Sequence, residues 1–518
     1  MSGEKIMSGS DVAILVTMIV YLLFVLMIGV VMSKKNETVG DFYLGGRKLG
    51  PFVTAMSAEA SDMSSYLLMG LPGLAYLSGM ADVTWTAIGL ALGTYLNWLL
   101  TAKRLRRYSV VANNSITVPE FFSNRYHDKK NSLGFIAALV IIVFFVPYTA
   151  SGFAACGKLF ASLFGVDYHI AMIISAAVII AYTTLGGFLA ASLSDFIQSI
   201  IMTIALVAIL IFGITVAGGM DNVIANASKL PGYLSMTESF DAVTGTAGAY
   251  GPLTIVSTMA WGLGYFGMPH ILLRFMAIKD ENKLKLSRRV ASIWVVIAMG
   301  IAILIGIVGY GMTSVGAIPL LTGADSETII VKISSLLSQN GLLCAVIAGI
   351  ALSGILAATM STSDSQLLAA SSSVSSDIMT KTFKLKLSEK KLMFVSRICL
   401  IIIALIGVVM AWDPNSSVFS IVSFAWGGFG AAFGPVMLLA LFWKRSNRYG
   451  ALAGMIAGGA MIFIWKFGLR PMGGLVDIYE LLPAFIIALV VNIIVSLATK
   501  APDKSIQDEF DKVKAMGR

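Results

Sequence analysis

PFVTAMSAEASDMSSYLLMGLPGLAYL, residues 51–77, is long enough to cross a bilayer and apolar at both ends, yet its centre is not apolar. SAEASDMSSY, residues 57–66, carries two acids and four serines, and Gly70, Pro72 and Gly73 follow. A span this polar and this interrupted is not expected to run as one continuous rod. Unwound backbone inside a membrane is tolerated only where its carbonyls line a cavity or hold an ion. A second stretch of the same character, AWGLGYFGMPHILL from residue 260, is broken by Gly262, Gly264, Gly267 and Pro269.

The rest of the chain places these two stretches in order. It has 518 residues, 57% hydrophobic and 13% charged, and a mean hydropathy of +0.85. Soluble domains are about a quarter charged, so a soluble multi-domain enzyme is excluded. Cys156, Cys344 and Cys399 stand singly, and His127, His169 and His270 are scattered, so neither a disulfide framework nor a zinc or haem site is expected. Thirteen segments have transmembrane length and composition, near 11–33, 51–77, 84–102, 132–157, 163–185, 188–218, 251–273, 290–314, 341–372, 393–412, 415–441, 449–465 and 476–498. The first lacks a basic leader and a cleavage site and is read as a retained helix.

With the N-terminus outside, all but six of the 37 Lys and Arg fall on the inner side, among them Lys34, Lys35 and the run Lys103–Arg107. The six are Lys5, Lys158, Lys229, Lys332, Lys466 and Arg470. The positive-inside rule therefore predicts an outer N-terminus and an inner C-terminus, in a plasma membrane such as the bacterial inner membrane. The net charge of +9 follows from these loops and anionic lipid, with no nucleic-acid partner.

The two interrupted spans are the second and seventh of thirteen, so they run in opposite directions, each opening a set of five. That is the pointer to an inverted-repeat carrier with its site at the midplane. The expected fold class is an all-α integral membrane protein of thirteen transmembrane helices. Residues 1–50 hold an extra first helix and inner loop, and 51–218 the first five-helix set. An outer loop at 219–250 precedes the second, inverted set at 251–441. Two further helices at 442–499 and a cytoplasmic tail at 500–518 complete the layout.

Four acids fall inside spans: Glu59, Asp62, Asp195 and Asp364. No Lys or Arg is deeply buried under this partition. Each acid costs roughly 2.5–3.5 kcal/mol at a helix centre, about 10 kcal/mol for four left unpaired. Membrane carboxylates are by default part of an ion path. In MSTSDSQ, residues 360–366, Ser361, Asp364 and Ser365 share one helical face with Thr362 beside it. Such oxygens suit a small hard cation. At 1.5 Å per residue, Asp195 lies about 10 Å from the inner end of its span and Asp364 about 12–18 Å from its own. Asp62 lies about 16 Å along its span, so the three can meet in the inner half of one bundle.

At these residues the chain resembles the sodium/solute symporter family, and most closely its sodium/proline branch, over about residues 40–500. The strings that carry the resemblance are DFYLGGRKLGPFVTAMSAEASDMSSYLLMGLPG (41–73), YTTLGGFLA (182–190), AWGLGYFGMPHILLRFMA (260–277), ILAATMST (355–362), SFAWGGFGAAFGPV (423–436) and ALFWKRSNRYGALAGMIAGG (440–459). The resemblance implies the leucine-transporter fold, a 5+5 inverted repeat with one extra N-terminal and two extra C-terminal helices. It implies a sodium site formed by the carbonyls of Ala60, Met63 and Ala358 with the hydroxyls of Ser361 and Thr362. Asp62 and Ser64 match positions tied to ion coupling. A second cation site, present in some relatives, falls on Asp195, Ser361, Asp364 and Ser365, so one or two Na+ are implied. Substrate positions include Tyr66, Tyr148, Trp261, Tyr265, Met268 and Pro269.

The chain departs from the proline-carrier pattern at several of these positions. Glu59 and Ser65 stand where glycine is expected, Tyr66 where tryptophan is, Met268 where glutamine is, and Asp364 and Ser365 where serine and cysteine are. Glu59 and Ser65 thereby join the expected substrate positions.

These observations lead to sodium-coupled symport of a small amino acid, proline or proline-like, by alternating access. One sodium ion crossing ~100 mV gains roughly 2.3 kcal/mol, and a tenfold gradient adds about 1.4 kcal/mol. Together they sustain accumulation of a neutral solute on the order of 500-fold. Four carboxylates exceed the charge of two sodium ions, which keeps open a cationic amino acid or amine with Glu59 as its partner. A channel on the same fold needs a continuous polar path, and the outer parts of these spans look sealed. A sensor is expected to carry an appended inner domain, and the tail after residue 499 is about 20 residues. No nucleotide-binding loop and no nucleophile–base pair is present, so neither a pump nor an enzyme is expected.

Overall fold

The computed structural model describes residues 8–34 and 37–516. Lys5, Lys35 and Arg518 of the charge count lie outside the described residues. The first helix, α1 (Gly9–Ser33), opens on a capping box between Ser8 and Asp11. A short α2 (Val39–Leu44) leads to the first interrupted span, α3 (Pro51–Ser65), a π turn at Tyr66–Gly70 and α4 (Leu71–Ser78). Next come α5 (Met80–Leu96), a π turn at Asn97–Thr101, α6 (Ala102–Val111), α7 (Val118–Arg125) and α8 (Ser132–Phe164).

Then α9 (Tyr168–Val216) runs for 49 residues. A straight helix of that length would be about 73 Å long, more than twice the ~30 Å hydrocarbon core. It is not straight. Gly187 has φ 63 and ψ −168, and the Tyr182 hydroxyl bonds the Ser194 hydroxyl. Twelve residues of straight helix would hold those two about 18 Å apart, so the chain folds back at Gly187. Glycine is required there because other residues avoid positive φ.

The segment 219–250 holds α10 (Met220–Ala227) and an antiparallel hairpin of β1 (Glu238–Asp241) and β2 (Thr246–Ala249). Tyr233 pins it to the end of α4 through bonds from its hydroxyl to the carbonyls of Ala75 and Tyr76. The second interrupted span is α11 (Pro252–Met259), a 3-10 stretch at Ala260–Phe266 and α12 (Pro269–Ala277). The remaining helices are α13 (Leu284–Ser314), α14 (Ile329–Ser338), α15 (Leu342–Ser372), α16 (Glu389–Met410), α17 (Val418–Phe442), α18 (Arg448–Phe463), α19 (Leu481–Ala498) and α20 (Lys504–Ala515).

Ten helices among the described residues are long and apolar enough to cross a membrane. Neither interrupted span is among them, because each is cut into pieces too short to count alone. The outer ring is greasy where a soluble protein would be polar: Val20 on α1 is 60% exposed, Ile293 on α13 63% and Val409 on α16 70%. Such faces are stable only against lipid. At the centre, every residue of α15 from Ala351 to Ser372 is buried. The second interrupted span lies backbone to backbone on α5, where a Cβ on Gly93 would stand 2.3 Å from the Gly262 carbonyl oxygen. Small residues permit that approach.

Two differences from the sequence expectation concern charge. The run Lys103–Arg107 sits on α6, a helical continuation of the third span rather than a loop. The tail carries α20, whose Ile506, Phe510 and Val513 form one buried face. Arg104 lies 4.9 Å above the Phe510 ring, and Lys444 meets Asp511 at 2.6 Å. Most consequentially, basic residues are buried, against the expectation that none would be. Arg125 and Arg274 are 0% and 1% exposed, and Lys158, at 8%, pairs with Glu327 at 2.9 Å.

Candidate ion and substrate site

The first break is at Ser64, with φ 50 and ψ −167. That region is populated essentially by glycine, and holding a serine there costs about 1–3 kcal/mol. Ser64 Oγ accepts the Tyr66 N–H at 3.1 Å, which fixes the turn. Next to the break, α3 meets α15. The Ser361 hydroxyl donates to the Ala60 carbonyl at 2.8 Å and lies 3.1 Å from that of Ala358. The Thr362 hydroxyl donates to the Ala358 carbonyl at 3.1 Å. Four of the five expected sodium ligands are thus in one place. The Met63 carbonyl accepts the Tyr66 N–H in the turn just beyond. Hydroxyls that donate to carbonyls can rotate their hydrogens away, leaving a set of neutral oxygens of the kind hard cations take.

A second group lies among α3, α9, α12 and α15. Asp195 Oδ2 accepts the Ser57 hydroxyl at 2.6 Å and Arg274 Nη2 at 3.1 Å. Arg274 also donates to Ser57 Oγ at 3.0 Å, to the His270 carbonyl at 3.0 Å and to Ser365 Oγ at 2.6 Å. Ser365 Oγ lies 3.1 Å from Asp364 Oδ1. The expected second-cation residues Asp195, Ser361, Asp364 and Ser365 are therefore brought together, around a guanidinium the sequence reading had placed in an inner loop. Arg274 sits in the last turn of α12, which turns back into the bundle. Asp195 Oδ1 and Asp364 Oδ2 remain buried without partners.

Between the two breaks is a narrow cleft with about 10 Å³ of free space, room for little more than one water molecule. Asp62, Met63, Tyr66, Tyr148 and Trp261 line it from the expected set, and Leu90, Val422 and Trp426 complete it. The Tyr265 hydroxyl donates to Asp62 Oδ2 at 2.5 Å, and its ring stands edge-on to Trp426 at 5.1 Å. Tyr66 stacks on Trp261 at 5.6 Å, and Trp261 on Tyr479 at 5.2 Å. Trp426 Nε1 donates to the Trp261 carbonyl at 2.7 Å. These rings cover the cleft on one side.

Other expected substrate positions lie off the cleft lining. Met268 and Pro269 are buried at the second break, and Ser65 Oγ is buried without a partner. Glu59 Oε1 accepts Trp98 Nε1 at 2.9 Å. Sequence reasoning missed Arg274, Trp98, Trp426 and Tyr479. Trp426 lay in the quoted string SFAWGGFG and could have been raised from it; the others carried no local signal.

The model of the sodium:solute symporter family matches residues 42–458. The chain therefore belongs to the sodium:solute symporter family. It is 42% identical over 487 residues to the high-affinity proline transporter PutP of Bacillus subtilis (strain 168), covering 94% of this chain and 98% of that one. It is 41% identical to the osmoregulated proline transporter OpuE of the same organism, covering 96% of each, and 40% identical to the sodium/proline symporter of Salmonella typhimurium, covering 97% and 96%. Its fold is similar to that of a Na+-coupled sialic acid symporter in a substrate-bound outward-open state, with a TM-score of 0.77, 18% identity and coverage of 95% and 99%. It is also similar to MhsT in complex with L-phenylalanine, with a TM-score of 0.54, 13% identity and coverage of 87% and 99%.

Proposed function

We propose that this chain imports proline together with sodium by alternating access. The observation that carries the reading is the contact of Ser361 and Thr362 with the carbonyls of Ala60 and Ala358, at 2.8 and 3.1 Å, beside a break in α3. Sodium bound there ties the interrupted span to α15. Asp62 and Ser64, at the break, couple the ion to the cleft. The names of the relatives above supply proline as the substrate, and the cleft, nearly closed in this structure, must widen to admit it.

Proline's apolar ring then lies against Tyr66 and Trp261, and its charged ends meet backbone groups freed at the two breaks. Tyr148 lines the cleft, Tyr265 holds Asp62 beside it, and Met268 and Pro269 form the second break behind it. The sets 51–218 and 251–441 are related as inverted repeats, and rocking of the bundle opens the cleft to each side in turn. In this reading the chain crosses the membrane thirteen times: the ten long helices, with α9 crossing twice about Gly187, and the two interrupted spans. The N-terminus is outside and the C-terminus in the cytoplasm, as the basic loops require.

Arg274 changes the charge balance. It answers Asp195, so a second cation, where one binds, is held by Asp364 with Ser361 and Ser365. A cationic substrate finds no partner in Glu59, which is bonded to Trp98 rather than lining the cleft. Uptake of labelled proline into proteoliposomes tests the function. With an imposed sodium gradient, proline accumulates; in choline it does not, and excess lysine does not compete. Uptake indifferent to sodium, or unaffected by Asp62→Asn, would end the symport reading.

A further inference from the structure

Glu59 and Asp62 form a second acidic pair, separate from the group around Arg274 and without a counter-charge. They are spaced i, i+3 on α3, so they leave the helix on one face, one turn apart. Each is held at one oxygen by a neutral donor: Glu59 Oε1 by Trp98 Nε1 at 2.9 Å, Asp62 Oδ2 by the Tyr265 hydroxyl at 2.5 Å. Each leaves its other oxygen, Glu59 Oε2 and Asp62 Oδ1, buried with no hydrogen-bond partner. The two residues are 1% and 5% exposed.

The π turn after α5 adds an independent orphan. Asn97 is fully buried and donates Nδ2 to the Tyr265 carbonyl at 2.9 Å, which leaves its Oδ1 unpartnered. Its neighbour Trp98 is the residue that holds Glu59, so this free oxygen belongs to the same turn. Among the described residues no Lys or Arg bonds either carboxylate. Arg274 is occupied by Ser57, the His270 carbonyl, Asp195 and Ser365. The His270 ring, also buried, bonds neither acid.

Two carboxylates in a dry site repel one another and lack solvation, so the pair takes up a positive charge or is not ionised as a pair. We infer that Glu59 and Asp62, with Asn97 Oδ1, bind one monovalent cation, a sodium ion or a proton, that crosses with the substrate in addition to the ion between α3 and α15. The inference rests on the symport reading.

The test is the ratio of charge to proline moved by the full-length protein in proteoliposomes, taken from the voltage at which net proline flux reverses. The ratio is measured for the wild type, Glu59→Gln, Glu59→Gly and, as a contrast, Asp364→Asn. The expected result is a ratio of two or more in the wild type that falls by one in both Glu59 variants, whatever Asp364→Asn does. Labelled sodium flux and an internal pH dye assign the lost charge to sodium or to a proton. A wild-type ratio of one, which needs no variant to fold, overturns the inference, as does a ratio unchanged in a Glu59 variant that still transports. Loss of all sodium-dependent uptake in the wild type would instead sink the symport reading.

Discussion

Arg274 and Asp195 are joined inside the bundle, Nη2 to Oδ2 at 3.1 Å, with both side chains at 1% exposure or less. The pair ties α12, the C-terminal half of the second interrupted span, to the part of α9 after Gly187. A guanidinium this enclosed persists because four of its five N–H donors have partners: besides Asp195, Ser57, the His270 carbonyl and Ser365 accept from it.

Removing one partner of such a pair leaves the other charged and unsolvated, a loss of about 3–5 kcal/mol. Asp195→Asn and Arg274→Gln are each expected to lower the thermal unfolding temperature of the detergent-solubilised protein strongly. The double variant is expected to lose less than the two singles together, because no lone charge is left behind. Additive losses would show that the pair does not act as a unit.

At the α3–α15 contact, Thr362→Ala removes one hydroxyl oxygen and adds no charge. The expected effect is a rise of tenfold or more in the sodium concentration for half-maximal proline uptake, about 1.4 kcal/mol. Saturating sodium restores most of the rate. Ser361→Ala, which also breaks the bond to the Ala60 carbonyl, is expected to cost more. An unchanged sodium dependence in both variants would remove these hydroxyls from the ion site.

Ser64 holds a backbone conformation that suits glycine. Ser64→Gly relieves the strain but loses the bond to the Tyr66 N–H, whereas Ser64→Ala keeps the strain and loses the same bond. Alanine is therefore expected to be the less stable of the two by about 1 kcal/mol. Comparing their melting curves is the check, and equal stability would mean that the turn is relaxed.

Gly93→Ala puts a methyl where only 2.3 Å separates its Cβ from the Gly262 carbonyl oxygen. Backbone on both sides must move, at a cost of about 1–3 kcal/mol. The shift falls on the 3-10 stretch that carries Trp261 and Tyr265, so proline affinity is expected to fall with stability. Gly300→Ala, with open space around its Cβ, is the control and should change neither.

Trp261 covers the cleft between Tyr66 and Tyr479. Trp261→Ala is expected to weaken proline binding by at least tenfold while leaving sodium binding measurable. Trp261→Phe should recover most of the affinity. Isothermal titration in the presence of sodium separates the two effects.

Much of this architecture was already legible one helix at a time. Transfer from water to lipid is a property of about 20 consecutive residues, so span limits, the two interruptions and the four acids could be read from the chain. So could the reversal near Gly187, from a short gap between apolar runs, and the helical face shared by Ser361, Asp364 and Ser365. What those residues meet across the bundle was not local information. Arg274 looked like the start of an inner loop until the path of α12 carried it to Asp195. Glu59 looked like a substrate contact until the tertiary structure brought Trp98, in the π turn after α5, to it. Burial patterning fixes which stretches lie in the membrane, whereas partners depend on the rotation of each helix and on which glycines let backbones touch, terms spread over residues far apart in the chain.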